Sequence, residues 1–250
     1  MNILETIIAA KRIEVAERKI TRPADSLKKT IGFQRPTLSL KKFLLDDSRN
    51  GIIAEFKRRS PSKGVINATA NPVSVTHAYA SNGAAALSVL TDEQCFGGTT
   101  ADLEAARVNE IPILRKDFII DEYQLIEAKS MGADVILLIA ACLSPEQVYA
   151  LAKAATNLGL EVLLELHDES ELGHVCEFTP IVGINNRNLK TFEVDIDRSL
   201  AMARLLPPET IKVAESGIDR VENIIKFREN GFRGFLIGEF FMKSPEPEKT

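Results

Sequence analysis

The sequence predicts an α/β fold, a closed barrel of eight parallel strands alternating with helices, and three observations predict it. Short β-rich apolar runs recur with helical patterns between them, as expected of βαβ units. The chain of 250 residues has the usual length of such a barrel. The first run ends in charge, where an open doubly wound sheet would usually show a glycine fingerprint, and no GxGxxG or phosphate-loop motif occurs elsewhere.

The elements follow in order. Residues 1–50 read as an N-terminal helical extension, and residues 51–250 as a (βα)8 TIM barrel in the same single domain. In the extension, Ile3, Leu4, Ile7, Ile8 and Val15 are spaced for one helical face, with Glu5, Lys11, Arg12, Glu14 and Glu17 among them. Candidate strands are Ile52–Phe56, Ala86–Leu90, Ile113–Arg115, Val135–Ile139, Val162–Leu166, Ile181–Ile184, Ile211–Ala214 and Phe235–Ile237. Helix punctuation separates them. Ser144-Pro145-Glu146-Gln147 supplies an N-cap, a first-position proline and a capping-box glutamine, and Gly159 ends that helix. Asp168-Glu169-Ser170-Glu171 opens a helix by the same logic, and Asp121–Met131 and Asp219–Asn230 carry helical periodicity before Gly132 and Gly231. Thr250 follows Met242 so closely that the last helix is expected to be truncated or absent.

Bulk composition narrows the function. Hydrophobic residues make up 45% and charged residues 26%, which describes a globule able to bury a full core. A net charge of −4 argues against general nucleic-acid affinity. Cys95, Cys142 and Cys176 are scattered, as reduced thiols would be. The first helix lacks the pattern of an export signal or transit peptide, and no apolar run approaches the roughly 20 residues of a membrane span. The expected location is the cytoplasm, without a membrane or nucleic-acid partner and without an obligate protein partner. His77 lies inside a helical pattern, and His167 and His174 lack neighbouring ligands at metal-site spacing, so neither metal nor cofactor is expected.

Chemistry gathers at the strand ends. A parallel barrel builds its active site at the C-terminal ends of its strands. Those ends carry Glu55 and Lys57; Thr91, Asp92 and Glu93; Lys116 and Asp117; Glu165; Asn185, Asn186 and Arg187; Glu215, Ser216 and Gly217; and Gly238 with Glu239. Glu55 and Lys57 lie two apart and so share a face, an arrangement suited to proton transfer. Arg58, Arg59, Ser60 and Lys63 follow and suit an anionic substrate. Gly217 and Gly238 end the last two strands, where barrels commonly bind phosphate through backbone N–H groups.

Together the segments IIAEFKRRSPSKG (52–64), LSVLTDEQCFGG (87–98), ILRKDFIIDEYQ (113–124), LLELHD (163–168), VGINNRNL (182–189), VAESGI (213–218) and FLIGEFFM (235–242) resemble the indole-3-glycerol-phosphate synthase family. The resemblance spans nearly the whole chain and includes the N-terminal segment. It implies a carboxy-lyase of tryptophan biosynthesis. Its reaction converts 1-(2-carboxyphenylamino)-1-deoxyribulose 5-phosphate to indole-3-glycerol phosphate with loss of carbon dioxide and water.

By that resemblance Lys116 matches the general acid of ring closure, Glu165 a proton-transfer glutamate, and Glu55 with Lys57 a further acid/base pair. Asn185 and Ser216 match positioning groups, with Glu215 beside them. Lys57 and the backbone at Gly217, Gly238 and Glu239 would hold the phosphate, Ser60 and Arg187 the carboxylate, and Phe96 and Phe118 the aromatic ring. Whether Lys57 or Glu165 donates the proton in dehydration stays open. Glu239 stands where a small hydroxyl residue also occurs in the family, so its carboxylate must turn away from the phosphate.

Two alternatives are weaker. A phosphoribosylanthranilate isomerase would need a cysteine on the first strand, and Ile52–Phe56 has none. A non-catalytic phosphate-binding scaffold would have no need of ionisable groups at buried strand ends.

Overall fold

The computed structural model describes residues 3–61, 63–188, 193–244 and 246–249. Ser62 and Leu189, which fall within two of the motif segments, lie outside the described residues. Eight strands form the barrel: β1 (Ile52–Phe56), β2 (Ala86–Leu90), β3 (Ile113–Lys116), β4 (Val135–Ile139), β5 (Glu161–Leu166), β6 (Ile181–Asn185), β7 (Ile211–Glu215) and β8 (Phe232–Ile237). Each pairs in parallel with the next, and β8 pairs with β1 to close the ring. The predicted strands are all present. β8 starts earlier than expected, with a register irregularity between Phe232 and Gly234.

Strict alternation sorts the side chains into two cores. Ile53, Leu114, Val135, Leu137, Leu163, Ile181, Ile211, Val213 and Leu236 fill the barrel interior. Their strand neighbours, among them Ala54, Ile113, Ile136, Leu138, Leu164, Val182, Ala214 and Phe235, face the surrounding helices. The same alternation carries past the apolar layers to the strand ends, so it decides which charged residues look into the barrel.

The helix layer comprises α2 (Pro72–Ser81), α3 (Thr100–Ala106), α4 (Glu122–Ser130), α5 (Pro145–Asn157), α6 (Ile196–Ala203) and α7 (Val221–Glu229), and the extension supplies α1 (Ile3–Thr21). On α5 the Ser144 hydroxyl accepts from the Gln147 N–H at 3.3 Å and the Gln147 side chain accepts from the Ser144 N–H at 2.8 Å. Gly159 takes the predicted left-handed conformation, φ 78°. The Asp168 segment forms a 3-10 helix (Glu169–His174) instead of an α-helix. α7 begins at Val221 without a side-chain cap. The eighth unit continues past β8 in one helical turn, Glu239–Met242, and a 3-10 turn, Pro247–Lys249. Both ends of this segment are anchored: the Phe241 ring lies 5.4 Å from Tyr79 of α2, and Pro247 is buried.

α1 lies along the barrel, with Leu4, Ile7 and Ile8 packed on the interior cluster and Val15 on Tyr123 of α4. The Tyr123 hydroxyl lies 3.1 Å from the Arg18 carbonyl and 2.9 Å from the Arg22 carbonyl, and so ties α4 to the end of α1. Arg18 reaches Glu127 of α4 at 3.2 Å. Lys11 is buried despite its charge. It is 1% exposed and contacts three carboxylates: Glu14 at 2.8 Å, Asp92 at 2.8 Å and Asp117 at 2.9 Å.

Arg115 is wholly buried between β3 and α4. It donates to Thr91 at 3.1 Å, the Gln124 carbonyl at 2.9 Å, Asp117 at 3.0 Å and Glu127 at 2.7 Å. Removing one partner from a buried ion cluster leaves the others charged and unpaired. Arg115→Met is therefore expected to lower the unfolding free energy by about 3 kcal/mol or more, read as a lower urea midpoint. An unchanged midpoint would show that the cluster contributes nothing net.

Candidate active site

A cavity of about 550 Å³ opens at the C-terminal ends of the strands. Lys116, the last residue of β3, points into it, because Arg115 and Asp117 on either side are held outward by the cluster described above. Its ammonium lies 2.8 Å from Glu165 of β5 and 3.3 Å from Glu215 of β7. Glu55 of β1 and Lys57, one residue past its end, do share a face, and Lys57 donates to Glu55 at 2.6 Å. Ser88 of β2 donates to the other Glu55 oxygen at 3.4 Å.

Glu165 is surrounded by donors. Besides Lys116, the Asn185 amide donates to it at 2.8 Å, and His167 Nε2 approaches the same oxygen to 2.9 Å. Burial alone would raise the Glu165 pKa, but Lys116 and His167 outweigh it and hold the carboxyl well below its ordinary range. Glu215 has the opposite balance. Burial, reinforced by the negative charges of Glu165 and Glu55, overcomes Lys116 and pushes its pKa up to about 7. Its Oε1 is buried without a hydrogen-bond partner among the described residues. Burial opposes the Lys116 charge, yet Glu165, Glu215 and Glu55 more than offset it and raise its pKa, so the amine is protonated at neutral pH.

Gly183 explains how two buried carboxylates fit so close together. A Cβ there would stand 2.0 Å from Glu215 Oε1. Gly238 has a comparable reason, since its Cβ would meet Glu55 at 2.5 Å. At the end of β7, Ser216 and Gly217 both take φ 67°. The Asn186 amide donates to the Ser216 carbonyl at 2.7 Å and holds this left-handed turn.

Most of the predicted residues meet here. Glu55, Lys57, Ser60, Phe96, Lys116, Phe118, Glu165, Asn185, Arg187, Glu215, Ser216, Gly217, Gly238 and Glu239 all line the one cavity. The rings of Phe96 and Phe118 stack with centroids 6.3 Å apart. Glu239 is drawn to Lys243 at 2.6 Å and to Arg187 at 3.5 Å. Other strand-end groups are taken up by ion pairs within the chain, although Asp117 also borders the cavity. Asp92 and Asp117 bind the Lys11 ammonium, and Arg58 makes a bidentate pair with Asp102 at 2.6 and 2.8 Å, so its expected use for an anionic substrate gives way to fixing the loop after β1.

His167 joins the acid/base cluster through Glu165, a role that its motif segment LLELHD did not announce. The signal was its position two residues after Glu165, on the same strand face. Gly183 had a signal too, a glycine inside a strand, which marks a close approach by another group.

A family model described as indole-3-glycerol phosphate synthase matches residues 4–250. The chain belongs to the indole-3-glycerol phosphate synthase family. The family's curated members include the Bacteroides thetaiotaomicron protein of that name, 50% identical over 250 residues that cover all of this chain and 96% of the relative. The namesake from Acinetobacter baylyi is 42% identical over 99% of this chain and 93% of its own. Among solved structures, tryptophan synthase subunit alpha from Legionella pneumophila superposes with a TM-score of 0.59 at 14% identity, covering 81% of this chain and 87% of that one. A chain of the Pyrococcus furiosus tryptophan synthase complex gives a TM-score of 0.56 at 14% identity over 80% and 93%. Those two likenesses are of fold. No helix among the described residues is long and apolar enough to cross a membrane.

His167 supplies a pH test. Burial disfavours its charged form, but Glu165 and Glu171 outweigh burial and raise its pKa to about 9. The folded-state value lies above the ordinary 6.5, so the resulting stability is full below pH 6.5 and is lost as pH rises through 9. The stability advantage of the parent chain over His167→Gln is expected to shrink by roughly 3 kcal/mol between pH 6 and pH 10. Urea unfolding across that range checks it, and a pH-independent difference would mean that His167 stays neutral.

Proposed function

We propose that this chain closes the indole ring of 1-(2-carboxyphenylamino)-1-deoxyribulose 5-phosphate by general acid/base catalysis, releasing carbon dioxide and water. The observation that carries the reading is one protonated lysine shared by two buried carboxylates, with a second lysine–carboxylate pair in the same cavity. The cavity also has two unlike ends. Phe96, Phe118, Leu137 and Ile139 form an apolar wall on one side. The glycine turns after β7 and β8 lie on the other. An aromatic ring at the first and a phosphate at the second would lay the ribulose chain across the barrel axis, past Lys116, Glu165 and Lys57.

Each group then has a role. Lys116 donates to the ketone oxygen as the ring carbon attacks, which removes the cost of a free alkoxide. Expulsion of carbon dioxide from that ring carbon restores aromaticity. For dehydration, Glu165 is ionised and so suited to accept a proton, while Lys57, held by Glu55, donates to the departing hydroxyl. Asn185 fixes Glu165 directly. Ser216 and the backbone of Gly217, Gly238 and Glu239 receive the phosphate with Lys57 nearby, and Ser60 and Arg187 take the carboxylate before its loss. Glu215 stands beside Lys116 and, after Glu165, helps to keep it charged. The partner is a small phosphorylated, carboxylated molecule, met in the cytoplasm, and the reading involves no nucleic acid, no obligate protein partner and no cofactor.

Incubation with that substrate is expected to produce indole absorbance and fluorescence. Lys116→Met is expected to lower kcat by roughly a thousandfold, the usual scale of a lost general acid. Its affinity for the substrate should be largely kept. Near-parental kcat in that variant would remove Lys116 from its role. Inorganic phosphate should compete weakly with substrate, and no competition at high phosphate would count against the β7–β8 turns as its site.

A further inference from the structure

Lys11 lies outside the reacting groups, yet its partners hold both rings of the aromatic wall of the cavity. On α1 it follows Leu4 and Ile7 by seven and four residues, so it shares their helix face, and both of those line the cavity. Its ammonium sits between Asp92 and Asp117, which leave β2 and β3. Each aspartate is bonded to the segment that bears one phenylalanine. Asp92 accepts from the Cys95 N–H at 2.7 Å through its side chain and from the Phe96 N–H at 3.2 Å through its carbonyl. Asp117 accepts from the Phe118 N–H at 2.8 Å.

The two aspartates differ in their other support. Asp117 keeps Arg115 at 3.0 Å and Thr91 at 2.6 Å, whereas Lys11 is the cation paired with Asp92 among the described residues. Without an ammonium between them, two buried carboxylates would repel each other, and Asp92 has less to hold it in place.

We propose that Lys11 is a positioning residue for the aromatic end of the substrate. It clamps Asp92 to Asp117 and thereby fixes the spacing of the Phe96–Phe118 wall, while its helix face places Leu4 and Ile7 over the same end. The proposal rests on the reading of this cavity as the substrate site. Lys11 touches no reacting atom. Its effect falls on ring binding and leaves the phosphate turns, on the far side of the barrel, unchanged.

Calorimetric titration with two compounds tests this. One is the reduced substrate, whose ketone has become an alcohol so that the ring cannot close; the other is inorganic phosphate, which lacks the ring. Lys11→Met is expected to raise the Kd for the reduced substrate by roughly tenfold and to leave that for phosphate within about twofold. Should Lys11→Met fail to fold, Asp92→Asn decides. Asparagine keeps the cap to Cys95 but loses the charge, and a roughly threefold weakening confined to the reduced substrate is expected. Unchanged binding of both compounds, or equal weakening of both, would overturn the proposal. A parental chain that binds neither compound would instead sink the reading of the site itself.

Discussion

Strand alternation at Arg115-Lys116-Asp117 is the constraint on which the site depends. Arg115 and Asp117 are tied to α4, to β2 and to α1 on the outer face of the barrel, so the residue between them must look inward. Ion pairs of this kind do not come cheaply, because desolvation can cancel most of their attraction. Here the flanking charges are almost fully bonded, which keeps that cost down and fixes the strand end. A lysine at the end of an ordinary strand would wave in solvent. This one is held within 3.3 Å of two carboxylates.

From that placement the electrostatics follow. Glu165 and Glu215 compete for one ammonium, but their surroundings differ. Glu165 also has Asn185 and His167 and remains ionised, while Glu215 is left with one long contact and a buried oxygen over Gly183. Two acids of the same type are thereby separated in pKa, an arrangement that lets one cavity give and take protons near neutral pH. The glycines at 183 and 238 belong to this argument. Each removes a Cβ that would collide with a carboxylate, so they shape the acid cluster as well as the backbone.

Much of this was legible in the sequence, for physical reasons that differ between residues. The strands were readable because a parallel sheet buried on both faces demands continuous apolar runs, and α5 because Ser144, Pro145 and Gln147 announce its start. Glu55 and Lys57 were readable as a pair because a two-residue period fixes their common face. Their relation to Lys116, Glu165 and Glu215 was not a matter of local pattern; it needed the closure of the ring. Arg58 misled because a cation beside an active strand end has the same appearance whether it meets a substrate or Asp102. The Asp168 segment carried the cap of a helix, but its turn winds as 3-10 and brings Glu171 back to the His167 N–H at 2.6 Å.

Lys11 shows where pattern and partner separate. A charge in the stripe formed by Leu4, Ile7, Ile8 and Val15 looks like a flaw in an amphipathic helix, and by spacing alone it falls on the buried face. A buried lysine requires counter-charges from elsewhere, and the strand ends at Asp92 and Asp117 supply them. The flaw in α1 and the surplus of acid after β2 and β3 are therefore one feature seen from two places in the chain. The extension does more than cover the barrel. Its lysine joins the two loops that carry the aromatic wall, and through Asp117 it bears on the same strand end that aims Lys116.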